Sequence, residues 1–129
     1  MKINKPTTNT NGTHLQGYIN CSYDDLTSAL GYPLEEGFDN YKSDAEWSIE
    51  FDDGMVATIY NWKNGKNYLG DQGYNLCDIT QWHVGGHRPE IVERVAFLIK
   101  SAIKGRFFKS ETIYLTFSLI NSASSKVSF

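Results

Sequence analysis

Two histidines and one carboxylate near the middle of the chain are of the types that could do acid–base or metal chemistry. They are Asp78, His83 and His87. His83 and His87 are four residues apart, a spacing at which two side chains on one helix face can bind the same zinc ion. Gly85 and Gly86 lie between them, however, and glycine disfavours a regular helix. The sequence therefore favours a structural His83, hydrogen-bonded beneath the ring of Trp82, over an acid–base or metal site, and a metal-assisted hydrolase is the third-ranked function.

Other sequence patterns that carry chemistry are absent. No Gly-x-Ser-x-Gly nucleophile motif occurs. Gly65 and Lys66 are followed by Asn67, whereas a phosphate-binding loop needs Ser or Thr at that place. Cys21 and Cys77 have neither a Cys-x-x-Cys nor a zinc-ligand spacing, which predicts buried free thiols. We therefore expect a non-enzymatic protein with no metal and no cofactor.

The first candidate binding surface is acidic. Residues 1–80 carry 12 acidic and 5 basic side chains, and the acids are densest between Glu35 and Asp53. The binding residues predicted on this acidic face are Glu46, Glu50, Asp52 and Asp53. A negative surface repels nucleic acid and attracts basic partners. The predicted partner is thus another protein, which can be one that itself binds nucleic acid. The chain is not expected to bind nucleic acid directly.

The second candidate surface is an aromatic loop with lysines. Its predicted binding residues are Trp62, Lys63, Lys66, Tyr68 and Tyr74. Tyrosine and tryptophan combine flat apolar area with a polar handle and are enriched at interface hot spots. Tyr68 and Tyr74 lie in a polar loop and are expected to be exposed, whereas Trp47, Tyr60 and Trp82 are expected in the core. With Lys66 beside them, the two loop tyrosines could also sequester a nucleotide in an oligomer, the second-ranked function.

A strand–helix unit and a hairpin must position these side chains. Alternating apolar residues predict a strand over 14–21, and Ser22 followed by Asp25 predicts the start of a short helix. Strands over 46–51 and 55–62 flank Asp53-Gly54, which predicts a hairpin with a type I′ turn. The second of these strands is apolar on both faces, which predicts a central strand covered by a helix.

The remainder predicts a helix and a last strand. Apolar residues recur at helical spacing from Pro89 to Gly105, and alternation returns over 112–120. The element order is β-α-β-β-α-β, an α+β domain whose antiparallel sheet is built on the central hairpin and carries helices on one face. We expect a flexible leader over 1–13, one domain over 14–120 and a polar tail over 121–129. The apolar last strand must pair within the chain or across a homodimer.

Length and composition place the chain among ordinary single domains. It has 129 residues, of which 40% are hydrophobic and 21% charged. No apolar run approaches the roughly 20 residues of a membrane helix, and the first residues lack the apolar core of a signal peptide. A cytoplasmic protein that does not interact with membranes is expected.

Two stretches resemble a family of small bacteriophage proteins. They read DAEWSIEFDDGMVATIYNWKNGKNYLG over 44–70 and DITQWHVGG over 78–86, and GYINCSYDDLTSALGYP over 17–33 is similar as well. The resemblance implies a protein of the host cytoplasm that binds a host component, as inhibitors of CRISPR and other defences do, or that sequesters a nucleotide signal. It implies no catalytic residues. The leading hypothesis is a phage accessory protein that binds and inhibits a host protein such as a defence effector.

Overall fold

A computed structural model describes residues 1–107 and 126–128, which form a single α+β domain. The elements are β1 (Lys2–Ile3), β2 (His14–Asn20), α1 (Tyr23–Leu30), β3 (Glu46–Glu50), β4 (Val56–Tyr60), α2 (Lys66–Leu69), β5 (Gln81–Gly86), α3 (Ile91–Phe107) and β6 (Lys126–Ser128). The strands form one sheet in the order β1-β3-β4-β5-β2-β6. Neighbouring strands are antiparallel, except that β6 runs parallel to β2. The predicted fold class is confirmed.

The β3–β4 hairpin forms where it was predicted, but its turn differs. The backbone N–H of Phe51 donates to the carbonyl of Met55 at 2.8 Å, and that of Gly54 donates to the carbonyl of Phe51 at 2.9 Å. Gly54 has φ +90°, whereas a type I′ turn would need positive φ at Asp53 as well. Asp53 instead accepts a 3.1 Å hydrogen bond from the N–H of Met55 through its side chain. The connection is a three-residue loop that ends in a left-handed glycine.

Strand β5 was not predicted, because Gly85 and Gly86 were interpreted as a break in the chain. They are instead its last two residues, and β5 lies between β4 and β2 in the sheet. A Cβ on Gly86 would lie 2.7 Å from Cγ2 of Ile91, at the start of α3. Glycine is needed there because helix and strand approach too closely for a side chain.

Both long helices pack on one face of the sheet. Helix α1 begins with the predicted capping box: Oγ of Ser22 accepts from the N–H of Asp25 at 3.0 Å, and the Asp25 carboxylate accepts from the N–H of Ser22 at 3.1 Å. Trp47 and Trp82 are fully buried between sheet and helices, as expected. The largest buried aliphatic residues around them are Ile19, Leu26, Ile49, Ile59, Val84, Ile91, Val92, Val95 and Ile99.

The ends of the chain depart from the sequence-based expectations. Part of the predicted leader forms β1, which pairs with β3, and both the backbone N–H of Asn4 and its side chain bond to the backbone of Ser48 at 2.9 and 2.8 Å. These bonds cover an otherwise open sheet edge. Strand β6 falls in the predicted polar tail. The strand predicted over 112–120, with its possible exchange between subunits, lies outside the described residues. None of the described helices has the length and apolarity to span a membrane.

Candidate functional site

The sheet face opposite the helices carries a row of polar and aromatic side chains. Glu46 on β3 pairs in register with Tyr60 on β4, Tyr60 with His83 on β5, and His83 with Tyr18 on β2. Paired residues project from the same side of a sheet. The four side chains therefore form one line across four strands, on the face that the helices leave uncovered.

His83 lies between two tyrosine rings in this row. Its ring stacks on Tyr60 at 5.3 Å between centroids and meets the edge of Tyr18 at 4.9 Å. Burial lowers the pKa of His83 because it removes water from the charged form. Its Nδ1 is buried and, among the described residues, has no hydrogen-bond partner. Burial therefore favours the neutral ring, which provides an aromatic wall on this face of the sheet.

The predicted position of His83 beneath Trp82 is wrong. Consecutive residues of a strand face opposite sides of the sheet, so Trp82 packs in the core against Trp47, with the ring centroids 5.6 Å apart. Its indole N–H donates to the carbonyl of Cys21 at 3.1 Å. No hydrogen bond links it to His83 in the described part of the chain.

A second row of residues lies beside the first on the same face of the sheet, and a glycine in it leaves a depression. Ser48, Thr58, Gly85 and Leu15 pair in register across the same four strands. A Cβ on Gly85 would lie 2.4 Å from Oγ1 of Thr58 and 3.4 Å from Cε1 of Tyr60. The missing side chain leaves room next to Tyr60 that any other residue would fill.

Two chain segments flank these rows and enclose a groove on the uncovered face of the sheet, which we call the open-face groove. The groove has two lobes. The proximal lobe has a volume of about 500 Å³. Its floor is formed by Glu46, Thr58, Tyr60, His83 and Gly85, and Trp62 lies at one end. Its walls are formed by Thr10, Thr13, His14, Leu15 and residues 37–39. The distal lobe, of about 710 Å³, lies between residues 4–10 and 32–37, above Glu46 and Ser48. Glu46 is the floor residue that both lobes share.

Glu46 is the electrostatically unusual group of the groove. Burial first, and then repulsion by Asp39, raises the pKa of its carboxyl to about 7. No described residue forms an ion pair or a side-chain hydrogen bond with this carboxyl. At neutral pH it therefore carries a partial negative charge in a half-buried place, and no cation of the described residues balances it.

The other acids of the predicted acidic face are differently placed. Glu50 forms an ion pair with Lys2 at 3.8 Å, and Asp53 pairs with Arg94 at 2.7 Å. Asp52 pairs with the amino terminus, and these contacts lower the pKa of both hairpin aspartates. The structure thus separates Glu46, in the groove, from three acids that already have cationic partners.

The predicted aromatic loop forms an exposed cluster that includes residues the prediction missed. The aromatic–lysine cluster consists of Tyr41, Lys42, Trp62, Lys63 and Tyr68. The ammonium groups of Lys42 and Lys63 lie 5.3 and 5.9 Å from the centre of the Trp62 ring. Lys63 also lies 5.5 Å from the ring of Tyr68, which stacks at a tilt on Tyr41 at 5.3 Å. Trp62 belongs to this cluster and to the groove, where its ring meets the edge of Tyr60.

Exposure of the loop side chains agrees with the sequence-based expectation. Tyr68 is 36% and Tyr74 60% exposed, and Lys66 is exposed as well. Tyr60, expected in the core, is half-buried because it lines the groove. In the described residues neither Lys66 nor Tyr74 joins a ring pair of the cluster.

A buried amide holds this loop in place. Asn61 is fully buried, and its side-chain oxygen accepts from the N–H groups of Asp44 and Ala45 at 2.8 and 3.1 Å. Its amide group donates to the side chains of Asp44 and Asn64, each at 3.0 Å. Every donor and acceptor site of the Asn61 amide is used, so the loop that carries Trp62 and Lys63 is fixed to the segment just before β3.

The residues of the predicted metal or acid–base site are not brought together. His83 lies within β5 and His87 just past its end, and four residues of extended chain span roughly 13 Å. Asp78 is exposed and accepts a long hydrogen bond, of 3.4 Å, from the side chain of Asn75. The described residues contain no group of three side chains that could hold a metal ion. The predicted burial of both thiols is also wrong for Cys77, which is exposed, and holds for Cys21.

Thr58 and Gly85 are groove residues that the sequence analysis did not select, and neither did it select Tyr18, which lies in the row beside His83. The register of four strands, which no local pattern reveals, brings them together. One signal was available, because Thr58 is a polar residue inside the most apolar strand. Comparisons of the chain with protein-family models, curated proteins and solved structures found no match.

Proposed function

We propose that this protein acts by binding, and that its open-face groove holds a cationic group of the partner on the carboxylate of Glu46. The unbalanced, half-buried charge of Glu46 is the observation that carries the proposal. A buried carboxylate without a partner is unfavourable, and a bound cation removes that penalty.

The composition of the groove favours a cation over an anion. Its charged lining residues are Glu35, Glu36, Asp39 and Glu46 against Lys5 alone. Phosphate would be repelled by this lining, whereas an ammonium or guanidinium group would be attracted.

The rings of the proximal lobe support the same class of ligand. Tyr60 and Trp62 meet edge to face at 5.9 Å, and Phe38 lines the same lobe with them and Glu46. Aromatic faces attract organic cations through their quadrupole, most strongly where water is excluded. Arginine can bond a carboxylate and stack on a ring at the same time.

The expected source of the cation is a protein of the host cell. The resemblance to phage proteins suggests this context, and basic side chains are what nucleic-acid-binding effectors use to neutralise phosphates. A protein that occupies such a side chain in its groove would inhibit a defence effector by competing with the nucleic acid. The inhibitor hypothesis thus rests on Glu46 and the groove rather than on the hairpin aspartates.

Calorimetry with blocked amino acids tests the proposal. We expect acetyl-arginine methylamide to bind the wild-type protein at pH 8 with Kd on the order of millimolar, as its size allows. Glu46→Gln should weaken binding at least tenfold, because a hydrogen bond to a charged group contributes about 1.5–3 kcal/mol.

Matched controls separate the groove from general acidity. Glu50→Gln removes a charge from the same strand outside the groove and should leave Kd unchanged. Acetyl-citrulline methylamide has the same shape as the arginine ligand without its charge and should not bind. Equal binding of the two ligands, or wild-type affinity of the Glu46→Gln variant, would contradict the proposal.

A second candidate function, sequestration of a nucleotide, is favoured by the aromatic–lysine cluster. Lys42 and Lys63 flank the exposed ring of Trp62, on which a base could stack while the ammonium groups neutralise a phosphate. Titration with a nucleoside monophosphate should then quench tryptophan fluorescence. Lys63→Asn, which suits the left-handed backbone of that residue (φ +59°), should abolish the quenching. Absence of quenching in the wild-type protein would end this alternative.

A further inference from the structure

We infer that the groove takes an extended protein segment with two basic residues at alternate positions, one in each lobe. The inference rests on the proposed function and specifies the partner. It follows from the continuity of the lobes, the separate acids in each, and the polar groups along the floor.

The two lobes adjoin each other. Three residues, Thr10, Gly37 and Glu46, line both of them. A single guanidinium on Glu46 would leave the distal lobe, the larger of the two, filled only with water.

The distal lobe has acids of its own. Glu35 and Glu36 are exposed and line it, facing Lys5 on the other wall. The N–H of Leu34 donates to the carbonyl of Glu46 at 2.8 Å, so these glutamates follow directly after a residue that is bonded to the backbone of Glu46. Alternate side chains of an extended peptide lie on the same side, about 7 Å apart, so two basic residues at alternate positions would place one cation at Glu46 and the other in the distal lobe.

The floor and walls favour a peptide over a flexible polyamine. Ser48 and Thr58 line the floor and Thr10 and Thr13 line one wall, and all four are hydroxyl residues. A peptide backbone can donate to and accept from these groups, whereas the methylene links of a polyamine cannot. Extended peptides commonly bind through main-chain hydrogen bonds that leave alternate side chains to be read by pockets.

Two blocked tripeptides test the inference. Acetyl-Arg-Ala-Arg-amide and acetyl-Arg-Ala-Ala-amide differ only in the second cation, and calorimetry at low salt measures both Kd values. We expect the first to bind at least tenfold more tightly to the wild-type protein. In the double variant Glu35→Gln/Glu36→Gln the difference should fall below threefold, because the second arginine loses its carboxylates. Both glutamates are exposed, so this variant should fold, which circular dichroism checks.

The other possible results of these titrations each refute a different part of the two proposals. If both peptides bind equally to the wild-type protein, the second basic residue is refuted and the cation site on Glu46 stands. If neither binds, both proposals fail. If spermidine binds more tightly than the two-arginine peptide, the groove is a polyamine site, and the peptide occupant is refuted.

Discussion

Glu46→Gln should stabilise the protein at pH 8 and leave its stability nearly unchanged at pH 5. The pKa of this carboxyl is raised from 4.5 to about 7 in the folded protein, first by burial and then by Asp39. Between these two values the folded state holds a proton that the unfolded state has released. Stability therefore falls as the pH rises through this window, and the loss is complete above about pH 7. Glutamine is neutral throughout and avoids the loss.

The magnitude follows from the size of the shift. Each unit of pKa corresponds to about 1.36 kcal/mol, so the rise from 4.5 to about 7 sets an upper limit of about 3.4 kcal/mol. Water in the open groove reaches part of the Glu46 side chain and screens its charge. We expect a gain of about 1–2 kcal/mol at pH 8.

Urea unfolding followed by circular dichroism at pH 5, 6, 7 and 8 measures this difference. The difference between variant and wild type isolates Glu46, because all other titrating groups are common to both. Glu50→Gln is the matched control, since Glu50 is paired with Lys2, and should show no gain that grows with pH. A Glu46→Gln variant that is equally or less stable than wild type at every pH would refute the buried, unbalanced charge.

Two further predictions test the elements around the groove. Asn61→Ala should destabilise the fold by roughly 3 kcal/mol, because it leaves buried partners without hydrogen bonds. The control Asn75→Ala, at an exposed position, should change stability by less than about 0.5 kcal/mol in the same urea experiment. Similar effects of both substitutions would show that Asn61 does not fix the loop. Cys77 is exposed and should react with a thiol reagent within minutes. Cys21 is buried, which raises its thiol pKa, and should react only on unfolding; mass spectrometry of the native protein that shows two modified thiols would contradict its burial.

The elements predicted correctly from the sequence are those that depend on interactions between residues close to each other in the chain. The hairpin follows from alternation around Asp53-Gly54, and the start of α1 follows from the pairing of Ser22 with Asp25, three residues away. Strand β5 was missed because glycines at two of its six positions, Gly85 and Gly86, hide the alternation of buried and open residues.

The groove could not be predicted, because it depends on long-range pairing. Glu46, Tyr60, His83 and Tyr18 share a row only after four strands have found their register. The sequence placed Glu46 correctly on the polar side of its strand but could not show which acids would find cations. The lack of a cationic partner among the described residues distinguishes Glu46 from Glu50 and the hairpin aspartates.

The most direct test of the account is a map of where a guanidinium binds. Nitrogen-15 correlation spectra of the wild-type protein, titrated with acetyl-arginine methylamide at pH 7.5, report each backbone amide and the indole of Trp62. The account predicts saturable shifts at Glu46, Tyr60, Trp62 and His83, which line the proximal lobe, and no such shifts in the Glu46→Gln variant. Shifts confined to the hairpin aspartates, or shifts that persist in the variant, would contradict the assignment of the groove as the binding site.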